Sequence, residues 1–450
     1  MNIKTKPSVG FVSLARPGFD MDYAKMAAEK SFQQIKKFAK VVAPEGYLVG
    51  DNKGSQMALE LFKREKTDLL VIQCGTFTSA EIVLDWVSQL GIPVVIWAIK
   101  EPDFEGKLKL NSLVCANAIT SALYKMGAKF KFFYEDYKNE QFYKRLARYL
   151  NVVNVKNKLK KTRIGLVGAR STGFQDVTVD ELSLLKKIGP RVHFISIAEV
   201  FERAKKIKSQ ITKGVAEEIR GKGKLENIGQ GELVKSAEVY QALKELASEN
   251  NLDALAVRCL PEFAQLYGTV ICGCLSFLTD DGIIAACEAD VCGAISMLIQ
   301  KYLSDGNSPF LADLIEVDND KNTGLFWHCG VAPCSLAKNG EVVLLSRHYV
   351  RDLGVTVHFS LKPGRISLAR LDSVGTDYRM LIASGESTGE TIPMKGTSMK
   401  VVFDQDSSDL LDVIINKGFP HHFSIVYGDF KEDLIDLCDL LEIESVEASK

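Results

Sequence analysis

Two acidic positions stand in stretches of the sequence that are otherwise apolar. Glu288 occurs with Asp290 in IIAACEADVCGA (Ile283 to Ala294), and Asp313 occurs in PFLADLIEV (Pro309 to Val317). Burying an ionised carboxylate is costly unless a cation or hydrogen-bond donors compensate its charge. These stretches are therefore the first places to look for a metal ion or for acid–base chemistry.

The local pattern separates the two acids of the first stretch. GIIAAC is typical of a buried strand and VCGAISMLIQKYL of a helix, so both acids fall in the turn between them. Asp290 directly precedes the helix, which predicts a side chain that caps the helix N-terminus. Glu288 lies at the carboxyl end of the strand, where open α/β sheets place their ligands. Whether Glu288 meets a cation stays open at this point.

Asp313 is unusual because of the face on which it falls. In a strand it shares a face with Leu311 and Ile315, so its carboxylate points the same way as two apolar side chains. It then needs a partner, and a role in a functional site is as good an explanation as a structural one, which would be a buried salt bridge or a β-bulge.

Imidazoles are scarce in this chain, which contains six histidines. His421 and His422 open the strand-like run HHFSIVYGD, where alternation predicts that only one of them faces a given site. His328 lies in FWHCGVAPC, a loop-like segment with Gly and Pro. Two carboxylates with one or two imidazoles suit Mn²⁺, Mg²⁺ or Co²⁺, although sequence spacing does not show that these residues meet.

The order of predicted elements indicates how these residues are positioned. Residues 1–155 and 156–300 each alternate strand and helix with continuous apolar strands, which predicts two doubly wound parallel-sheet domains. The lysine-rich KNKLKKT (Lys156 to Thr162) between them is interpreted as a solvated linker. Residues 301–450 contain short strands separated by Gly, Pro and Asp, typical of a β-rich, antiparallel barrel-like domain, and end in a helix. The fold class is therefore α/β with a β-rich C-terminal domain.

Composition narrows the classes of function. The 450 residues carry a formal net charge of −1, which argues against binding to nucleic acid or an anionic membrane. No apolar run reaches the roughly 20 residues of a membrane span, and MNIKTKPSVGFVSL does not resemble a secretion signal. We therefore expect a cytoplasmic protein whose ten cysteines are reduced and pack in its core.

Two other functions remain open on the residues alone. GLVGARSTG, with Gly165, Gly168 and Gly173, follows a strand, but its spacing differs from the G-x-G-x-x-G of dinucleotide sites. An NAD(P)-dependent oxidoreductase would use these glycines. A non-catalytic sugar-binding protein is the second alternative, because two α/β domains also describe such proteins.

The chain resembles the L-fucose isomerase / L-arabinose isomerase superfamily, in particular its L-fucose isomerase-like members. The resemblance covers nearly the whole chain in its order of domains. ACEAD matches the first metal-binding carboxylate of the family at Glu288, and FLAD matches the second at Asp313. His422 matches the C-terminal metal-binding histidine. His328, in WHCGVAPC, matches a fourth ligand that only arabinose isomerases have.

Substrate contacts are matched more sparsely. Arg16, in LARPGFD, resembles a substrate-contacting arginine of the fucose isomerases. His421 stands where those enzymes have a substrate-binding asparagine. This resemblance therefore implies a sugar substrate without naming the sugar, and a modified or sulfonated sugar is compatible with it.

The resemblance also implies the chemistry. Members of the superfamily are metal-dependent intramolecular oxidoreductases that interconvert an aldose and a ketose through an enediol. Glu288 and Asp313 would be both metal ligands and the acid–base pair, and His422 would be mainly a ligand. The implied cofactor is a divalent cation, Mn²⁺ first, with Mg²⁺ or Co²⁺ as alternatives. A homo-oligomer, hexamer or trimer, with the site at a subunit interface is implied as well.

Overall fold

A parallel sheet forms the centre of the first of two units, residues 1–157 and 158–450, into which the computed structural model divides. The structure describes residues 7–448. The elements that begin in the first unit are β1 (Ser8–Leu14), α1 (Met21–Ile35), β2 (Lys40–Val42), β3 (Leu48–Val49), α2 (Asn52–Arg64), β4 (Leu69–Cys74), α3 (Glu81–Leu90), β5 (Val94–Ala98), α4 (Ser112–Lys125), β6 (Phe130–Tyr134) and α5 (Glu140–Leu159).

The sheet of the first unit runs in the order β2-β1-β4-β5-β6, with β3 added beside β1, and all of its neighbours are parallel. Every residue of β1, β4 and β5 is buried. Burial on both faces explains why these strands are continuously apolar rather than alternating. The predicted parallel α/β fold of this part of the chain is confirmed.

The second unit continues the α/β pattern and then becomes rich in strands. Its elements are β7 (Arg163–Val167), α6 (Glu181–Lys187), β8 (Arg191–Ile195), α7 (Ile197–Lys206), α8 (Ser209–Gly221), β9 (Lys224–Glu226), α9 (Gln230–Glu249), β10 (Ala254–Val257), α10 (Cys272–Asp280), β11 (Ile284–Ala286), α11 (Val291–Leu303), β12 (Phe310–Asp318), β13 (Thr323–His328), β14 (Leu344–Ser346), β15 (Thr356–Ser360), β16 (Gly364–Val374), β17 (Asp377–Ser387), β18 (Thr397–Phe403), α12 (Ser407–Asn416), β19 (His422–Tyr427), α13 (Lys431–Leu441) and β20 (Glu444–Val446).

A second parallel sheet, in the order β11-β10-β7-β8, opens this unit. Gly165 lies inside β7, where a Cβ atom would come within 2.6 Å of the Leu252 side chain and 2.8 Å of the Leu255 side chain. Close packing between neighbouring elements therefore accounts for this glycine without a bound dinucleotide.

A closed antiparallel barrel follows the second sheet. Its six strands run in the order β17-β16-β19-β12-β13-β18, and pairing of β18 with β17 closes the ring. Closure removes exposed strand edges, as expected for a barrel. The predicted fold class, parallel α/β sheets followed by an antiparallel barrel-like region, is confirmed.

One hydrophobic core joins the second sheet to the barrel. It contains Val167 and Leu255 from the sheet together with Phe310 and Ile425 from the barrel. Helix α11 packs against β10 on one side and against β16 and β19 on another. The loop that precedes α11 is thus held between two rigid layers, which favours precise placement of its side chains.

The interpretation of Lys156 to Thr162 as a solvated linker is wrong. Helix α5 extends to Leu159, and Val152, Val155 and Leu159 are fully buried. These residues recur every three or four positions and form the apolar stripe of a helix, while the lysines occupy its other faces.

The structure also bears on the cysteines and on membrane insertion. All ten cysteines are free, and eight of them, Cys287 and Cys292 included, are buried. Among residues 7–448, no helix has both the length and the apolar character required to cross a membrane.

Candidate functional site

Glu288 follows β11 in a tight left-handed turn. Both Glu288 and Ala289 have a φ of 62°, a conformation that side chains other than glycine adopt infrequently. The turn is fixed by two backbone hydrogen bonds, from Ala289 N to Val257 O (3.0 Å) and from Asp290 N to Cys287 O (3.1 Å). It leaves the Glu288 carboxylate largely buried, at the carboxyl end of a parallel strand as the sequence predicted.

Asp313 and His422 face each other across two antiparallel strands. They are direct partners in the pairing of β12 with β19, and Asp313 Oδ1 lies 3.8 Å from His422 Nε2. Glu288 Oε2 lies at the same distance from His422 Nε2, so the three residues converge. The register of β12 against β13 shifts just beyond Asp313, between Leu314 and Glu316. Asp313 Oδ1 is buried and accepts no hydrogen bond from residues 7–448.

Asp290 is the N-cap of α11, as predicted, because its Oδ1 accepts a hydrogen bond from Gly293 N at 2.8 Å. Its other oxygen has a role that the sequence did not indicate. Oδ2 accepts hydrogen bonds from Arg370 Nη1 and from His422 Nδ1, the latter at 3.0 Å. Burial raises the pKa of Asp290, but Arg370 and His422 outweigh that effect and hold it well below its usual range. An ionised Asp290 accepts only, so His422 Nδ1 carries a hydrogen, and in the neutral ring the lone pair is then on Nε2.

His421 also reaches the site, and the expectation that only one histidine of the pair would do so is wrong. Its Nε2 donates to Glu288 Oε2 at 3.2 Å and its Nδ1 donates to Asp176 Oδ2 at 2.6 Å. His421 precedes β19, so strand alternation does not constrain its side chain. Burial lowers the pKa of His421, but the bonds to Glu288 and Asp176 outweigh burial and raise it to about 9. Both ring nitrogens therefore carry hydrogens in this arrangement, and the imidazolium donates one hydrogen bond to each carboxylate.

His328 ends β13, and its ring stacks on that of His422 with centroids 5.5 Å apart. Its Nδ1 accepts a hydrogen bond from Cys329 N at 2.8 Å. Its Nε2 is buried and has no hydrogen-bond partner within the described part of the chain. Burial lowers the pKa of His328, but Cys329 and Asp313 raise it above its usual value.

These contacts fit a divalent cation. Among the residues described above, four carboxylates (Asp176, Glu288, Asp290 and Asp313) face one guanidinium and one imidazolium, which leaves two negative charges uncompensated. Atoms that share one Mg²⁺-sized ion at about 2.1 Å lie no more than about 4.2 Å apart, so each 3.8 Å separation from His422 Nε2, taken by itself, is compatible with sharing. The residues here whose ligand atoms all lie within 4.8 Å of one another are Glu288, His421 and His422, and Asp313 is outside that group. Two carboxylate oxygens and one imidazole nitrogen suit Mn²⁺, Mg²⁺ or Co²⁺.

Arg16 belongs to the first unit. It follows β1, its backbone N–H donates to Thr76 Oγ1 at 3.0 Å, and its guanidinium lies 4.9 Å from the centre of the Phe77 ring. The side chain is exposed, at the carboxyl end of a parallel strand. Its contact with substrate stays a prediction.

Sequence reasoning missed Asp176 and Arg370. Asp176 lies 245 residues before His421, and Arg370 lies 80 residues after Asp290. The available signal for Arg370 was its place among apolar residues in RISLARL, where an arginine needs an acidic partner. Asp176 stands in a polar loop, GFQDVTVD, and carried no signal.

Comparison with known proteins matches both ends of the chain to isomerase domains. Residues 10–160 match the fucose/sulfoquinovose isomerase N-terminal domain, and residues 327–448 match the L-fucose isomerase C-terminal domain. The sulfoquinovose isomerase of Priestia megaterium is 32% identical over 439 residues, which cover 97% of this chain and 98% of that protein. The sulfoquinovose isomerase of Alkalicoccus urumqiensis is 27% identical over 443 residues, 98% of this chain and 99% of that protein.

Proposed function

The chain belongs to the family of fucose and sulfoquinovose isomerases and is an aldose–ketose isomerase, and on that premise we propose how it works. It interconverts its sugars through an enediol and depends on a divalent cation, Mn²⁺ first, with Mg²⁺ or Co²⁺ as alternatives. Glu288, Asp313 and His422 hold the cation. The substrate is sulfoquinovose or a closely related sulfonated sugar.

The observation that supports metal dependence most directly is the convergence of the three residues. Glu288 Oε2 and Asp313 Oδ1 each lie 3.8 Å from His422 Nε2. The Asp313 oxygen is buried without a hydrogen-bond partner among residues 7–448, and such an atom is costly to keep unless something else binds it. The Nδ1 hydrogen of His422 is held by Asp290, which directs the Nε2 lone pair to the same place.

The mechanism follows from the roles of these groups. The cation, when bound, polarises the sugar oxygens O1 and O2 and thereby acidifies the proton at C2. Glu288 and Asp313 are the carboxylates that take the C2 proton and return it to C1, while a second proton passes between O2 and O1. The electrons of the broken C2–H bond form the enediol double bond and then the new C1–H bond.

The neighbouring residues hold this arrangement in place. His421 donates to Glu288 and to Asp176, which fixes the Glu288 carboxylate relative to the barrel. Arg370 and Asp290 hold the His422 ring, and all three are almost completely buried. Such a preorganised environment stabilises developing charge with little rearrangement.

The sulfonated substrate is supported by the relatives. Those at 27% and 32% identity over nearly the full chain are sulfoquinovose isomerases. We also propose that Arg16 and His421 contact the sugar and that the protein forms a trimer or hexamer with the site completed by a second subunit. Light scattering of the purified protein tests the oligomer.

The experiment compares sugars that differ in one group. Sulfoquinovose, glucose, L-fucose and L-arabinose are supplied to chelator-treated protein with and without added Mn²⁺, and the ketose or aldose product is followed by NMR. We expect turnover of sulfoquinovose that exceeds turnover of glucose and requires Mn²⁺.

The same reaction in D₂O tests the enediol. An enediol mechanism exchanges the transferred hydrogen with solvent, so deuterium appears in the product. Tight sugar binding without turnover would instead identify a sugar-binding protein, and equal turnover with chelator present would remove the metal from the mechanism.

A further inference from the structure

Three histidine rings lie together at the site, and their hydrogen bonds give each a different arrangement of protons. His421 donates from both nitrogens to carboxylates. His422 donates from Nδ1 to Asp290, which leaves its Nε2 lone pair available. His328 has the opposite arrangement, because its Nδ1 accepts the Cys329 N–H at 2.8 Å and lies 3.2 Å from Cys329 Sγ, whose S–H can donate to the same nitrogen. A neutral imidazole that accepts at one nitrogen carries its hydrogen on the other.

Nε2 of His328 is therefore an N–H donor, and a metal ion needs a lone pair at that position. Nε2 cannot act as a ligand while Nδ1 of the neutral ring accepts the Cys329 N–H. This differs from the ligand role that the resemblance to arabinose isomerases implied for His328.

The donor at His328 has no partner among residues 7–448, although the atom is buried. His358 provides a comparison inside the same chain. Its Nδ1 likewise accepts a backbone N–H, from Gly396 at 2.6 Å, but its Nε2 lies 2.6 Å from Ser346 Oγ and 2.8 Å from Thr356 Oγ1. The Nε2–H of His358 therefore has hydroxyl acceptors within the fold. The Nε2–H of His328 has no acceptor among residues 7–448.

An unpaired acceptor lies in the same part of the site. Asp313 Oδ1 is also buried without a partner in the described residues, and the rings of His328 and His422 are stacked 5.5 Å apart. The proposed cation accounts for Asp313 Oδ1, whereas the buried donor of His328 is left unpaired, as expected of a group that binds a substrate.

We propose that His328 donates its Nε2–H to an oxygen of the bound sugar, O1 or O2, and does not bind the metal ion. This inference rests on the proposed isomerisation. Negative charge develops on these oxygens as the C2 proton leaves, and a fixed N–H donor stabilises that charge more in the transition state than in the bound substrate. The residue therefore contributes to kcat rather than to metal affinity.

Two substitutions separate the donor from the ring. His328→Phe keeps an aromatic ring against His422 and removes the donor, whereas His328→Gln retains an N–H near the position of Nε2. Glu288→Gln removes a proposed metal ligand and serves as the control for metal binding, and His358→Gln is the control for loss of a buried histidine. The Mn²⁺ dissociation constant of each chelator-treated protein is measured by calorimetry, and kcat and KM by sugar turnover.

We expect the Mn²⁺ dissociation constant of His328→Phe to lie within about threefold of that of the parent. Loss of groups that support a metal site weakens metal binding by about 10- to 100-fold or more. The kcat of His328→Phe should fall by at least about 100-fold with little change in KM, and His328→Gln should recover at least about tenfold of that loss. The inference would be overturned if His328→Phe weakened Mn²⁺ binding as much as Glu288→Gln does, or if its kcat were unchanged.

Failure of the proposed function is distinguishable from failure of this inference. The parent and Glu288→Gln would then bind Mn²⁺ equally, or the parent would turn over no sugar. In that case the ¹⁵N chemical shifts of the His328 ring show which nitrogen carries the hydrogen. A hydrogen on Nδ1 rather than on Nε2 would overturn the inference.

Discussion

His422 Nδ1 lies 3.0 Å from Asp290 Oδ2, and the same oxygen accepts a hydrogen bond from Arg370. The three side chains are between 0% and 1% exposed. One carboxylate thus caps a helix, neutralises a buried guanidinium and orients a candidate metal ligand. Several consequences can be measured separately.

The first prediction concerns the orientation of His422. Asp290→Asn replaces an obligate acceptor by an amide and weakens control of the His422 proton, so Mn²⁺ affinity should fall by about 10- to 100-fold. Asp404→Asn is the matched control, since Asp404 pairs with Arg365 of the same strand as Arg370 and is more exposed. Calorimetric titration of both variants checks the prediction, and equal affinities would refute the role of Asp290.

The second prediction concerns stability. Arg370→Met leaves Asp290 buried without its charged partner and should lower the free energy of unfolding by about 3–5 kcal/mol. Arg365→Met breaks the more exposed pair with Asp404 and should cost no more than about 1 kcal/mol. Urea unfolding of the two proteins measures the difference. Similar midpoints and slopes for both variants would show that burial of the Arg370 pair is unimportant.

The third prediction concerns the left-handed turn at Glu288. Ala289 has a φ of 62° and is buried, so a β-branched side chain there is strained and crowded. Ala289→Val should cost at least about 2 kcal/mol of stability, whereas Ala289→Gly should change it by less than about 1 kcal/mol, because relief of strain offsets the added chain entropy. Thermal and urea unfolding test the pair. A valine variant as stable as the glycine variant would contradict the strain at this turn.

Part of the site could be predicted from the sequence because its signals are local. Glu288 ends an apolar strand and Asp290 begins a helix, and both positions follow from the pattern of neighbouring residues. The contacts of Asp176 with His421 and of Arg370 with Asp290 could not be predicted, because they depend on how distant segments meet in the fold. Strand alternation misled the interpretation of His421, since the strand begins one residue later.

The fold was predictable to a similar extent. Continuous apolar strands indicated parallel sheets, and short strands between Gly and Pro indicated the barrel. The lysines of residues 156–161 suggested a linker, but the apolar stripe of Val152, Val155 and Leu159 extends the helix into this segment. Charge density on one face of a helix conceals the periodicity on the other face.

The fourth prediction concerns pH. Burial, with Lys395 and His348 nearby, lowers the pKa of His358 from 6.5 to about 4. The unfolded chain therefore binds a proton that the folded chain does not bind as pH falls below about 6.5. The stabilising contribution is complete above that pH and is lost towards pH 4, by roughly 3 kcal/mol in total.

His358→Gln should remove this part of the pH dependence. Unfolding free energies of the parent and the variant are measured in urea between pH 4 and pH 8 on chelator-treated protein. The difference between them should shrink as pH falls from about 6.5 towards 4. A difference that is constant with pH would show that His358 does not titrate as its buried position implies.

Glu288, Asp313 and His422 must hold the divalent cation if isomerisation proceeds as proposed. The direct measurement is the Mn²⁺ dissociation constant of chelator-treated parent, Glu288→Gln and Asp313→Asn proteins, each shown to be folded by circular dichroism and assayed in parallel for sugar turnover. We predict that both substitutions weaken Mn²⁺ binding by at least about 100-fold and abolish Mn²⁺-restored turnover. Binding and turnover equal to those of the parent in either variant would contradict the account.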